Sequence, residues 1–173
     1  MRYFIEIVGV NIHVIRSDDG MTPLHAACVN PDHEVLAYLI SQGAEINAKT
    51  DAGSTPLMVA VMLNPNVEVL ACLISKGAEI NAKSHRGLTA LHIAAHNPIS
   101  GVDVLKYLIS KGANIDAEEN NGGKPLDLAS SEEKKTCLRD AKSKQESKEC
   151  MTYCSGCLVI IVLFVLLIGS CVP

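Results

Sequence analysis

Residues 87–118 read GLTALHIAAHNPISGVDVLKYLISKGANIDAE, and two earlier stretches say nearly the same thing. Residues 20–49 are GMTPLHAACVNPDHEVLAYLISQGAEINAK and residues 53–83 are GSTPLMVAVMLNPNVEVLACLISKGAEINAK. A fourth stretch, GKPLDLASSEEKKTCLRDA at 123–141, opens in the same way and then diverges. Leu24, Leu57, Leu91 and Leu126 mark a common phase, at spacings of 33, 34 and 35 residues. The extra residues fall just after the Asn-Pro pairs 30–31, 64–65 and 97–98, where a loop absorbs them. Recurrence at this period means stacked structural units, each burying its apolar face against the next.

Each copy reads as two short helices and a hairpin-like loop. In Thr22-Pro23-Leu24-His25, Thr is a good N-cap and Pro suits the first helical position. Ala26, Ala27 and Cys28 are narrow enough for a neighbouring helix to approach closely. Asn30-Pro31 breaks that helix. Glu34 opens a second one, in which Val35, Leu36, Leu39 and Ile40 recur at helical spacing. Gly43, like Gly77 and Gly112, stops the second helix by supplying a left-handed residue. The run from Ala44 to Ala48 is expected to be extended and to lead into a turn at Asp51-Ala52-Gly53.

These motifs resemble the ankyrin repeat family. TPLHAA (22–27), TPLMVA (55–60), TALHIAA (89–95) and three copies of LIS[QK]GA[EN]I stand in the right order and period. The resemblance covers about residues 17–141 and implies an all-α solenoid of helix-turn-helix units with hairpin loops. It departs at Met58 and Asp127, where the family usually places His, and at Lys124, where it usually has Thr. Those changes are expected to loosen the local helix-start hydrogen bonds without altering the fold.

The ends of the array read differently from its middle. Residues 1–16 look like a partial N-terminal repeat, with Tyr3-Phe4-Ile5 and Gly9-Val10-Asn11-Ile12 echoing the close of a unit. A makeshift cap and the remnant of a longer array both fit. Glu6 and Asn11 interrupt the apolar run, so the segment is a poor signal peptide. Ser130 to Lys135 form a polar helix start, expected to cap the array with Cys137 and Leu138 facing inward. Residues 142–155 have linker character, with KSKQESKE at 142–149 rich in Lys, Glu and Ser.

No charge follows Glu149, and residues 156–172 are apolar except for two glycines and a serine within the longer run. As a helix, 17 residues span roughly 26 Å against a hydrocarbon core of about 30 Å. We therefore expect a transmembrane helix at 156–172, a tail anchor with almost nothing beyond it. A soluble helix closing the solenoid would be polar on its outer face, and this run is apolar all round. Lys142, Lys144 and Lys148 just before the span favour repeats that face the cytosol of a single-pass membrane protein.

Seven cysteines, scattered or confined to the tail, argue against a disulfide framework and for a reducing compartment. Cys150, Cys154 and Cys157 have the spacing of an iron–sulfur triad, but only membrane-like sequence follows them. Zinc would need Cys171 to return across the apolar helix. Cys150, Cys154 and Cys157 fit juxtamembrane acylation sites or membrane-interface cysteines with no chemistry. His92 and His96 share the i, i+4 spacing of a zinc-protease pair, but Ile93 stands where that motif needs Glu. No phosphate loop and no Ser-His-Asp order stand out, so neither metal, cofactor, catalytic residue nor small-molecule substrate is expected. The net charge of −4 includes no basic stripe and speaks against nucleic acid.

Function should then lie in recognition. The resemblance implies binding of a protein partner through the hairpin tips and first helices. The candidate positions are Asp18, Asp19 and Met21; Asp51 and Ser54; His85, Arg86 and Leu88; then Met62, Leu63, His96 and Asn97. They differ between copies while the framework around them repeats. Met21, Met62, Leu63 and Leu88 suggest an apolar strip with charged neighbours. A membrane-held adaptor or scaffold is the main expectation. A soluble interaction protein, a fragment of a longer array, or an effector of an intracellular bacterium or virus are the alternatives.

Overall fold

Thr22, Thr55 and Thr89 each stand in extended backbone immediately before a helix, and Pro23 and Pro56 occupy the first helical position after two of them. Proline's fixed φ and missing N–H suit that place, where an N–H has no helical acceptor. The computed structural model describes residues 18–30 and 33–148. Six helices lie wholly within the described residues: α1 (Pro23–Ala27), α2 (His33–Ser41), α3 (Pro56–Leu63), α4 (Val67–Ser75), α5 (Ala90–His96) and α6 (Val102–Ser110). Helix α2 starts one residue earlier than Glu34. All six lie in the first of two compact units, which divide after Leu138. No strand occurs among the described residues.

Each second helix ends on a glycine with positive φ: 91° at Gly43, 101° at Gly77 and 92° at Gly112. The following alanine N–H then turns back, Ala44 to Leu39 O, Ala78 to Leu73 O and Ala113 to Leu108 O, each at 3.0 Å. First helices pack on first helices and second on second. Leu24, Leu57 and Leu91 mark the buried phase of the first layer, and Leu36, Leu70 and Leu105 that of the second. Ala60, Ala94 and Ala95 are fully buried, the small residues that let the first layer close up.

Three hydrogen-bond ladders bind one repeat to the next. In the first, the backbone of the tip loops is linked: Asp51 N–H to Asp19 O, His85 N–H to Ala52 O and Asn120 N–H to Arg86 O. The second uses asparagines beyond the glycine caps. Asn47 Nδ2 donates to Gly77 O while its Oδ1 accepts from Glu79 N, and Asn81 does the same with Gly112 and Asn114. The third caps the first helices from behind: Asn64 Nδ2 reaches Cys28 O, and Asn97 Nδ2 reaches Val61 O and Met62 O.

Three expectations need correcting. The stretch 44–48 is not extended: it turns at Ile46–Asn47, because the Asn47 amide must face the next repeat. The fourth copy has turns at 125–128 where a first helix would be, and Leu126 is only half-buried. Asp127 does not loosen the start of that segment, since its carboxylate accepts the Lys124 N–H at 2.9 Å. At Met58 the expectation holds in part. Its N–H reaches Thr55 Oγ1 at 3.4 Å, but a thioether cannot make the bond to the next repeat that His25 and His92 make.

A further helical stretch begins at residue 132, with Leu138 buried and Cys137 half-buried. Residues 139–148 are helical too, including the linker-like 142–148. Among the described residues no helix is long and apolar enough to cross a membrane. The expected span at 156–172, the acylation candidates Cys150, Cys154 and Cys157, and the partial repeat at 1–16 all lie outside the described residues.

Candidate functional site

Helix α5 runs from the third tip loop, where Arg86 and Leu88 lie, to its own C-terminal end at His96. A cleft of about 490 Å³ opens along it. Leu88, His92, Ile93 and Leu128 contribute lining from the middle of this region. Met62, His96, Asn97 and Pro98 enclose it at the helix-end side, and Arg86, Glu119 and Asn121 at the tip side.

The polar groups in the cleft divide into used and available. His92 is fully buried, and its Nδ1 accepts the Thr89 N–H at 3.1 Å, so its Nε2–H donates to Gly123 O at 3.1 Å. Burial lowers its pKa below 6.5, which keeps the ring neutral and in that tautomer. His25 repeats the arrangement with Thr22 and Ser54 O. His92 is therefore framework. Asn97 is also occupied, by Val61 O, Met62 O and the Ile99 N–H. Asn121 Nδ2 donates to Glu119 Oε2 at 3.3 Å. Arg86 and His96 are exposed, and their side chains make no hydrogen bond or ion pair among the described residues.

Five of the positions picked out from the sequence line this cleft: Met62, Arg86, Leu88, His96 and Asn97. The others lie elsewhere. Leu63 is exposed beside Met62 but outside the lining, and His85 is exposed at the third tip, its carbonyl accepting from Asn120 Nδ2. Asp18 and Asp51 are exposed at the first two tips. Asp19 Oδ1 accepts the Met21 N–H, and Met21 and Ser54 are half-buried. Sequence reasoning missed Ile93, Pro98, Glu119, Asn121 and Leu128 in the lining, and the exposed apolar pair Val29 and Ile99. Val29 could have been found, because it holds the place in its copy that Met62 and His96 hold in theirs.

Chemically, the cleft offers apolar contact, one cation and one carboxylate. Its lining contains no serine, threonine, cysteine or lysine. Among the described residues no group of three or more His, Cys, Asp or Glu is placed to hold a metal ion.

Comparison with known proteins places this architecture. The family description "Ankyrin repeats (3 copies)" matches residues 1–84 and 57–140. Protein phosphatase 1 regulatory subunit 27 of Mus musculus is 44% identical over 48 residues, 28% of this chain and 30% of that protein. Its counterpart in Homo sapiens matches to the same extent. Alpha-latrocrustotoxin-Lt1a of Latrodectus tredecimguttatus is 44% identical over 45 residues, 26% of this chain and 3% of the toxin. The chain thus spans less than a third of the length of each of these relatives.

Proposed function

The chain belongs to the ankyrin-repeat family, and from that premise we propose that it is a non-enzymatic protein–protein interaction module whose α5 cleft receives a protein partner. One observation carries the reading. The asparagine side chains that recur between copies, Asn47 with Asn81 and Asn64 with Asn97, are consumed in the ladders between repeats, whereas Met62, Arg86, Leu88 and His96, which differ between copies, converge on one cleft. A surface built that way keeps its framework fixed while its contact chemistry varies. The likeness to a phosphatase regulatory subunit supports a role in binding rather than in chemistry.

The adaptor is held at a membrane by residues 156–172, with the repeats facing the cytosol. The support for this part is the uncharged apolar run after Glu149 and the three lysines before it. Tethering raises the local concentration of the cleft for partners in the same membrane.

Two experiments test the two parts. A photo-crosslinking residue at Met62 or Leu88 of the full chain, expressed in cells, should give discrete protein adducts that one at exposed Lys106 on α6 does not. Equal labelling from all three positions would sink the cleft reading. Alkaline carbonate extraction should leave the full chain in the membrane pellet and release a chain ending at Glu149. A full chain that is also released makes the protein a soluble interaction module.

A further inference from the structure

Val29, Met62, Leu63 and Ile99 are the large apolar side chains left exposed among the described residues, at 48, 44, 46 and 63%. All four lie at or just beyond the C-terminal ends of α1, α3 and α5, the first helices of three consecutive repeats. They form an irregular row: Val29 and Met62 hold equivalent places one repeat apart, and Ile99 lies three residues past His96, the next equivalent. Packed helices lie about 8–10 Å apart, so this row advances by about that distance from repeat to repeat.

Facing the row across the first helices are the tip loops. Helix α5 has seven residues, roughly 10 Å of helix, between its tip and its end. The Arg86 loop and the His96 end both belong to the wall of one cleft. The groove between the two rims is therefore about as wide as an α-helix, 10–12 Å with its side chains. Its floor is apolar at Leu88, Ile93 and Leu128, and Arg86 stands on the tip rim with no ion pair among the described residues.

Resting on the reading of the cleft as a partner site, we infer that the partner presents an amphipathic α-helix, with apolar side chains seven residues apart over Val29, Met62 and Ile99 and an acidic side chain facing Arg86. Two helical turns advance about 10.5 Å and return a side chain to the same face, which matches the step of the row. An extended segment needs about three residues for the same distance, and an odd step turns alternate side chains away from the groove. Charge complementarity picks the acid, because Glu119, the carboxylate in the same wall, already accepts from Asn121 Nδ2 and leaves Arg86 as the charge to be met. A guanidinium on a half-apolar rim gains most from a carboxylate that it can grip in two places. The chain's own apolar stretch fits less well, because residues 150–173 contain no acid to face Arg86.

The test is selection of random peptides about 18 residues long, enough helix to cross three repeats. The full chain in detergent micelles is the bait, and its Met62→Asp/Ile99→Asp variant is the counter-selection. Both substituted side chains are exposed, so the variant should fold, as circular dichroism will report. Enriched peptides should carry apolar residues at i, i+3 or i+4, and i+7, with an acid at one fixed position. Arg86→Glu should weaken the best peptide by about tenfold, and exchanging the peptide's acid for Lys should restore it. Period-two or proline-rich winners, no acidic position, or no enrichment would overturn the helix. So would peptides that match the chain's own tail or a second copy of its repeats. If Met62 and Leu88 still give specific crosslinks in cells, the cleft reading survives that failure; if they do not, both fall.

Discussion

Lys134 Nζ donates a 2.9 Å hydrogen bond to Ala94 O, across 40 residues of sequence. Ala95 O, at 3.3 Å, and Asn97 O accept from the same ammonium, and Ser130 Oγ lies 3.3 Å away. These carbonyls close α5, the end of a helix that carries partial negative charge. Lys134 is only 3% exposed, and burial pushes its pKa below the usual lysine value. The carbonyls offset that desolvation. Lys134→Met keeps the stem and removes the donor, leaving Ala94 O unpaired at roughly 1–3 kcal/mol, while Ala95 O and Asn97 O keep the Ser130 and Ser100 N–H groups. The urea midpoint should fall well below that of Glu133→Met, a change at an exposed neighbour. Equal midpoints would mean that Lys134 adds nothing to the packing and to the Asn120–Arg86 and His92–Gly123 bonds that hold the fourth copy on the third.

His25 and His92 should make the domain acid-sensitive. Burial is the largest influence on both and lowers their pKa from 6.5. For His25 the Ser54 and Ala48 carbonyls and Asp19 pull the other way; for His92 the Gly123 and Ala117 carbonyls and Glu119 do, while Lys83 adds to the lowering. With folded values below the unfolded one, the unfolded chain takes up protons first. The stabilisation is complete above pH 6.5 and is lost as pH falls toward the lowered folded values. A His25→Gln/His92→Gln chain should be less stable at neutral pH but show a flatter urea midpoint between about pH 7 and pH 5. A wild-type midpoint that does not fall over that range would contradict the assignment.

Where one residue type does one job in every copy, the sequence is easy to read. The Thr22, Thr55 and Thr89 starts belong to this class, as do the Gly43, Gly77 and Gly112 stops, where positive φ admits little else. Asn47 was harder: alternation in Ala44 to Ala48 resembles a strand, and only the bond to Gly77 in the next repeat shows why the chain turns. Lys134 was hidden by its neighbours, because Glu-Glu-Lys-Lys reads as a solvated face. Its trace in the sequence is an absence, since the fourth copy has no asparagine where Asn64 and Asn97 cap the helix behind them. The cleft was half legible. Arg86, Leu88 and Met62 stand out as differences between good copies, while Glu119, Asn121 and Leu128 come from the divergent copy, where difference carries no signal.

Gly87 and Gly112 have similar dihedrals and should respond differently to alanine. Their φ values are 78° and 92°, so each Ala variant takes the left-handed strain of about 1–2 kcal/mol. At Gly112 a Cβ meets nothing within 4 Å. At Gly87 it would lie 2.6 Å from Asn120 Oδ1 and 2.8 Å from Asn120 N, in the loop bonded to Arg86 O. Relief requires the third and fourth tips to part. Gly87→Ala should therefore cost clearly more stability than Gly112→Ala, and it should weaken binding in the α5 cleft, whose wall includes Arg86 and Asn121. Equal losses in thermal denaturation would remove the close approach as a cause.

Cys28 should be inert while the domain is folded. It ends α1, is fully buried, and takes a carbonyl bond from Asn64 of the next repeat. Burial pushes its thiol up to about 12, with Cys72 nearby adding to the effect. The thiolate is the reactive form, and at pH 8 a thiol of that pKa presents roughly one part in ten thousand of it. Cys72 is half-buried and raised too, with Lys76 partly countering its burial. Iodoacetamide at pH 8 followed by peptide mapping should label Cys72 slowly and leave Cys28 unmodified until urea unfolds the repeats. Lys134→Met acts at the far end of the array and should leave Cys28 protected, whereas Asn64→Ala removes the bond across the first joint and should expose it sooner. Rapid labelling of Cys28 in the native wild type would show that the first repeat opens readily from the second, and that the array is not held equally along its length.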